Sequence, residues 1–262
     1  MSALPAAHEI AAHYAQVMQD TAGDYIHHRW GDSETKRRHY RQTETALGAA
    51  LARAGEPGEV LEIGCGPAVW TPLFLARARR VLLYDLSDAM LAGARRRIGE
   101  IDGGRHAEKV SYRCGDFVAE PPAGESFDTV VSVRAFEYMS DKGAFVRACH
   151  GMLRPGGSLV VATKNRGWRD LRGVGEAAAK GGLPVGLAMQ ADMWSAPQLA
   201  ALFREVGFVD VEARPVVFGS YRGRFTSRPA LAAFDALHRW RRDRPMAAAL
   251  DGWVESFVVT GR

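Results

Sequence analysis

Val60-Leu61-Glu62-Ile63-Gly64-Cys65-Gly66-Pro67-Ala68 is the stretch whose reading decides the fold. An apolar run carrying one acid ends at two glycines one residue apart. This reads as a buried strand that stops at a tight turn before a helix. Without side chains at Gly64 and Gly66 the backbone turns sharply and lets a ligand come close. Glycine-rich strand-to-helix turns serve many nucleotide folds, so the neighbours must narrow the reading. A dinucleotide fingerprint needs a third small residue three places after Gly66, where a helix packs closely and a pyrophosphate sits on its N-terminus. Val69 stands there, followed by Trp70, and the Gly-Lys-Ser/Thr of a phosphate loop is absent.

Working outward, strands and helices alternate, which is the pattern of a mostly parallel sheet covered on both faces. Strands are expected over 58–64, 80–85, 109–114 and 127–133, with a fifth after the turn Leu153-Arg154-Pro155-Gly156-Gly157. A helix is expected over 68–79, with Pro72 in its first turn, and another over 87–99. The second strand ends at Asp85, 19 places after Gly66. That spacing brings a carboxylate to the edge of the neighbouring strand, where it can accept both hydroxyls of a ribose. The third strand runs into Gly115-Asp116-Phe117, and the fourth into Ser132-Val133-Arg134. Helices over 5–20 and 33–54 precede this core, the second opening at Ser33 and closing before Gly55 and Pro57.

Glu62-Ile63-Gly64-Cys65-Gly66, Asp85, Asp116-Phe117 and the Leu153 to Gly157 turn, in this order, resemble class I S-adenosylmethionine-dependent methyltransferases, and in particular those of quinone and natural-product biosynthesis. The resemblance spans residues 58–164 and departs from the family pattern at Ala68, where a third glycine is common. It implies a Rossmann-like α/β fold whose seven-stranded sheet has an antiparallel last strand. It also implies S-adenosyl-L-methionine as cofactor, with Glu62 ordering the site and Gly64, Cys65 and Gly66 passing under the methionine half. In the same way Asp85 would take the ribose, Leu86 and Met90 the apolar contacts, Asp116 and Phe117 the adenine, and Ser132, Val133 and Arg134 the amino-acid end. Arg134 is expected to pair with Glu137, or else with the cofactor carboxylate or the acceptor, because an unpaired cation beside a sulfonium is unfavourable.

At 262 residues and 47% hydrophobic, the chain can bury a sizeable core. We expect an N-terminal helical cap over 1–55 and a core over 56–262 with insertions at 165–194 and 219–252. The sixth strand is expected to begin within Gly207 to Ala213, and the last to cover 255–260. No apolar stretch approaches the ~20 residues that span a bilayer, and no signal-peptide core opens the sequence, so a cytoplasmic protein is expected. Cys65, Cys114 and Cys149 lack metal-ligand spacing, and neither a disulfide framework nor a metal site is expected. A net charge of +4 with arginine clusters reads as solvated helix faces, and no nucleic-acid module is recognisable.

The segment Asp24 to Gly31 is dense in aromatic and ionisable groups, and with the insertions it is expected to shape the acceptor site. Tyr25, Trp30, Trp168 and Tyr221 are the candidate acceptor contacts, with Arg29 beside them. His27, His28, Tyr138 and His238 are the candidate bases, needed only for a poorly acidic acceptor. The expected reaction moves a methyl group to oxygen, nitrogen or carbon of a small organic acceptor. A lipid or quinone at a membrane surface is the nearest variant, motivated by Trp240 among Arg239, Arg241 and Arg242. An inactive cofactor-binding partner and a nicotinamide dehydrogenase are the readings from other classes.

Overall fold

The computed structural model of the chain describes residues 5–171, 192–221 and 223–262. Residues 172–191 of the expected insertion over 165–194 lie outside the described residues. Seven strands form one sheet in the order β3-β2-β1-β4-β5-β7-β6. They are β1 (Glu59–Ile63), β2 (Arg80–Asp85), β3 (Val110–Cys114), β4 (Phe127–Val133), β5 (Leu153–Lys164), β6 (Glu212–Phe218) and β7 (Val254–Gly261). The first five run parallel, whereas β7 lies antiparallel between β5 and β6. The expected architecture, including the reversed last strand, is the one observed.

Strict alternation along the strands divides the core between the two faces. Val60, Val81, Leu83, Val131 and Val160 face one side, against α2 (Glu34–Ala54), α3 (Pro72–Leu75) and α4 (Asp88–Glu100). Leu61, Leu82, Val130, Leu159 and Phe257 face the other, against α5 (Lys142–Met152) and α6 (Ala196–Val206). Both helix α1 (Ala7–Asp20), which packs on α4, and α2, which crosses β5, β6 and β7, belong to these layers. Local chemistry fixes the helix ends. Ser33 accepts from the Lys36 N–H at 3.2 Å to open α2, and Asp141 accepts from the Ala144 N–H at 2.7 Å to open α5. In α6, Gln198 reaches back to the Ser195 N–H at 2.9 Å.

Three expectations are corrected. The helix expected over 68–79 is only Pro72–Leu75, because Ala68 sits in the left-handed region (φ 57°) and keeps the chain turning until Thr71. The sixth strand starts at Glu212: Gly207 caps α6, and Val209 makes only an isolated pair with Arg262, at 2.7 and 2.9 Å, before Asp210 (φ 51°) breaks the extended path. The fifth strand begins earlier than the turn suggested, since Leu153 already pairs with Phe127. The expected insertion over 219–252 contains α7 (Arg228–Arg241), and Pro215 lies on β6 at the sheet edge, where a missing N–H is tolerated.

Gly207 has φ 116°, and a Cβ there would meet His150 Nε2 at 3.4 Å. Gly207→Ala is therefore expected to lower unfolding free energy by about 1–2 kcal/mol in denaturant titration, from the backbone alone. Unchanged stability would mean that the turn relaxes at no cost.

Candidate functional site

Ligands of open parallel sheets settle where neighbouring strand connections diverge, outside the carboxyl ends. Here that place lies between β1 and β4: the chain leaves β1 toward α3 on one face, and β4 toward α5 on the other. A cavity of 470 Å³ opens there. Gly64, Cys65 and Gly66 line it after β1, Asp85 and Leu86 after β2, and Asp116 and Phe117 after β3. Val133 and Arg134 line it after β4, together with Met90 of α4. Tyr14 of α1 and Tyr25, Arg29 and Trp30 of the next segment close it from the N-terminal side. The carboxylates at 85 and 116 thus share one cleft with the glycine turn.

The turn is shaped by the absence of side chains. A Cβ on Gly64 (φ 67°) would stand 2.2 Å from the Cβ of Ala135, so the loops after β1 and β4 could not approach as they do. A Cβ on Gly66 would enter open space, which leaves its backbone bare to the cavity. Asp85 Oδ2 accepts from the Gly66 N–H at 2.8 Å and Oδ1 from the Ser87 N–H at 2.9 Å. Burial pushes the Asp85 carboxyl up to about 6, against those backbone donors. Asp116 Oδ1 accepts from the Val118 N–H at 3.0 Å, and Phe117 packs edge-on against Tyr84 and Phe145.

Glu62 and Ser132 are placed differently from the expectation. Neither lines the cavity. Glu62 lies behind the turn, where the Thr71 hydroxyl donates to its Oε2 at 2.6 Å, and burial pushes its carboxyl up to about 8. It is a neutral strut at pH 7. Ser132 is fully buried within β4, between Ile63 and Val161.

Arg134 pairs with Glu137 as expected and has a second acid as well. Its Nε stands 3.4 Å from Glu137 Oε1, and its NH1 contacts both oxygens of Glu255 on β7 at 2.9 Å. Burial opposes both charges, yet the carboxylates hold Arg134 raised and Arg134 holds Glu255 down to about 2. Glu137 also accepts from the Thr163 hydroxyl, at 2.7 Å through its other oxygen. Arg134 sits in the left-handed region at φ 62°, strain of a kind that gathers at functional sites.

Of the candidate bases, only Tyr138 reaches the cavity. His27 and His28 are exposed on a π-helical turn, His27–Gly31, and His27 borders a separate cleft with Arg37, Arg41, Arg96 and Arg97. His238 is buried in α7, where desolvation lowers it to about 4. The Tyr138 hydroxyl meets that of Tyr14 at 2.8 Å, and burial pushes Tyr138 up to about 12. At neutral pH it is a donor and not a base.

Of the acceptor candidates, Tyr25 and Trp30 line the cavity and Trp168 and Tyr221 do not. Trp168 is buried and donates to the Gly219 carbonyl at 2.8 Å, while the Tyr221 hydroxyl meets His39 Nδ1 at 2.8 Å. Sequence reading missed Tyr14, His39 and Glu255. Only Glu255 leaves a trace in the sequence, as a lone acid at the start of an apolar strand. Among the described residues no group of acids, histidines and cysteines could hold a metal ion.

Residues 60–157 match a family model described as a methyltransferase domain. A ubiquinone biosynthesis O-methyltransferase of Bradyrhizobium sp. (strain ORS 278) is 30% identical over 173 residues, 64% of each chain. One from Pseudomonas aeruginosa (strain UCBPP-PA14) is 32% identical over 143 residues, 53% of this chain and 59% of that one. The chain therefore spans less than two thirds of the length of these curated relatives. Magnesium protoporphyrin IX methyltransferase from Synechocystis PCC 6803, solved with bound S-adenosylhomocysteine, superposes with a TM-score of 0.62 at 14% identity, over 96% of this chain and 98% of that one. A methyltransferase from Thermotoga maritima superposes with a TM-score of 0.60 at 18% identity, over 95% and 99%. These two likenesses are of fold.

Glu62 has a folded pKa above its unfolded value, so its protonated form adds stability that is complete at acid pH and lost as pH rises through about 8. Glu62→Gln keeps the Thr71 contact without a titrating proton. Its melting temperature relative to the parent is expected to improve steadily between pH 5 and pH 8. A pH-independent difference would contradict a protonated Glu62.

Proposed function

We propose that this chain is a class I S-adenosylmethionine-dependent methyltransferase that moves a methyl group to an oxygen of a small organic acceptor. The observation that carries the reading is the convergence of Asp85, Asp116 and the bare Gly64–Gly66 turn on one cavity at the point where the strand order reverses.

The residues present fit the methyl donor. Among the described residues no cation pairs with the Asp85 carboxylate, which has spare lone pairs on both oxygens and so suits two neutral hydroxyl donors such as those of a ribose. Asp116 and Phe117 supply an acceptor oxygen and an apolar wall for the adenine, with Leu86 and Met90 closing the sides. Arg29, over the Trp30 ring at 4.7 Å and paired with no carboxylate among the described residues, offers a cation to the carboxylate of the amino-acid tail. Arg134 is neutralised by Glu255, so its charge does not oppose a sulfonium nearby.

Bound S-adenosylmethionine supplies a methyl carbon already activated by positive charge. What the protein must add is alignment and the exclusion of water. Tyr25, Trp30 and Tyr138 narrow the N-terminal side of the cavity, and the acceptor enters against them.

A quinone-like acceptor at a membrane surface is a second reading, favoured by Trp240, which is 56% exposed and lies under the guanidinium groups of Arg241 and Arg244. No helix among the described residues is long and apolar enough to cross a membrane. Co-sedimentation with anionic vesicles, lost in Trp240→Ser, is the expected result for this reading. Sedimentation equal to that with neutral vesicles would dismiss it.

Calorimetry with S-adenosylhomocysteine tests the main proposal. The parent is expected to bind, and Asp85→Ala to weaken binding by about 10- to 100-fold through loss of charge-assisted hydrogen bonds. Binding of NAD in place of S-adenosylhomocysteine, or an affinity indifferent to Asp85, would refute it.

A further inference from the structure

The polar groups on the N-terminal side of the cavity follow a simple count of protons. Tyr14 on α1 and Tyr138, in the short turn Phe136–Tyr138 after β4, are 124 residues apart in the chain, yet their hydroxyls meet at 2.8 Å. Both line the cavity, and their rings pack edge-on with centroids 5.8 Å apart. Burial raises both phenols, Tyr14 well above the ordinary value and Tyr138 to about 12, so both keep their protons at neutral pH. The pair holds two O–H groups but needs only one for its mutual bond. No described residue accepts the other.

The surroundings of the pair offer little to receive that proton. Glu137 faces Tyr138, but its Oε2 is occupied by the Thr163 hydroxyl and its Oε1 lies against Arg134. Tyr25, a third phenol whose burial keeps it protonated, stands beside both, with Arg29 and Arg134 as the nearby cations. Asp192 also lines the cavity, where it is held by Lys142, but the described groups beside the tyrosine pair are O–H and N–H donors. The spare O–H of the pair suits a ligand that brings a hydrogen-bond acceptor, and serves an ammonium less well.

We propose that the Tyr14–Tyr138 hydroxyl pair is the acceptor-binding group of the site and that it takes an anionic oxygen, of the phenolate or enolate class. The inference deepens the proposed function and rests on it. Tyr14 donates to Tyr138, which polarises the Tyr138 O–H and lets it donate to the acceptor oxygen. Fixed donors in a site shielded from water favour the oxyanion over its neutral acid. The acceptor thus loses its proton to solvent on or before binding, with no base on the protein. In the transfer, the oxygen lone pair forms the new bond to the methyl carbon, the carbon–sulfur bond breaks, and its electron pair stays on sulfur as the thioether. Tyr138 touches the acceptor and is a catalytic residue in this scheme; Tyr14 acts through it and is a positioning residue.

4-Nitrophenol serves as the probe, because its neutral and ionised forms absorb at different wavelengths. With the protein saturated by S-adenosylhomocysteine, bound 4-nitrophenol is expected to ionise at lower pH than in water and to bind more tightly than benzylamine. Tyr138→Phe is expected to weaken probe binding by about tenfold and to return its ionisation toward the value in water. Tyr14→Phe is expected to shift the ionisation part of the way, a change that mere packing loss would not produce. Both variants should hold S-adenosylhomocysteine within about twofold of the parent. Absence of probe binding, unshifted ionisation, or a parallel fall in S-adenosylhomocysteine affinity would overturn the assignment of the tyrosine pair. Failure of the parent to bind S-adenosylhomocysteine would instead remove the methyl-donor reading itself, and the assignment with it.

Discussion

The close approach of the loops that leave β1 and β4 is the constraint on which the site depends. Gly64 lies where any side chain would run into Ala135, and the cavity opens beyond this contact. With the loops held together, the Gly66 N–H reaches Asp85 on the next strand, and three strand ends become one rigid floor. The carboxylate gives up solvation to sit there, which its raised pKa records. Such an arrangement stores binding capacity at some cost to the unliganded fold.

A second constraint comes from charge. Arg134 stands next to the cavity in a backbone conformation that non-glycine residues rarely adopt, and its position is held by Glu255 from the opposite side of β5. Breaking a buried pair of this kind leaves an uncompensated charge, so the antiparallel strand β7 is tied to the site as well as to the sheet. The reversed end of the sheet thereby has a part in the electrostatics of the cleft. Arg29 lacks a carboxylate partner among the described residues, which leaves the cavity with a cation available to a ligand.

The N-terminal segment supplies the remaining wall. Trp30 packs edge-on against Trp70 at 5.5 Å, while Tyr40 stacks on Trp70 at 5.1 Å, so aromatic contact holds this segment on the turn after β1. The same contact separates the residues of one short stretch by function. Tyr25, Arg29 and Trp30 turn inward, while His27 and His28, between them in sequence, turn outward on the π-helical turn. Histidine was the natural base to expect, yet the phenols occupy the place where the reaction would need one.

The sequence by itself determined the mostly parallel sheet and the residues that floor the cavity, because each rests on short-range signals: alternating apolar residues, glycines at a turn, and acids closing strands at Asp85 and Asp116. Glu62 was legible as a buried acid, but its role as a neutral strut behind the turn depended on which way its strand faced. Only the tertiary structure decided the second partner of Arg134, Glu255, the exclusion of His28 and His238 from the cavity, and the meeting of Tyr14 with Tyr138. These pairings join residues more than a hundred positions apart, or depend on the rotation of a helical turn. Packing sets both, and no local pattern of residues encodes them.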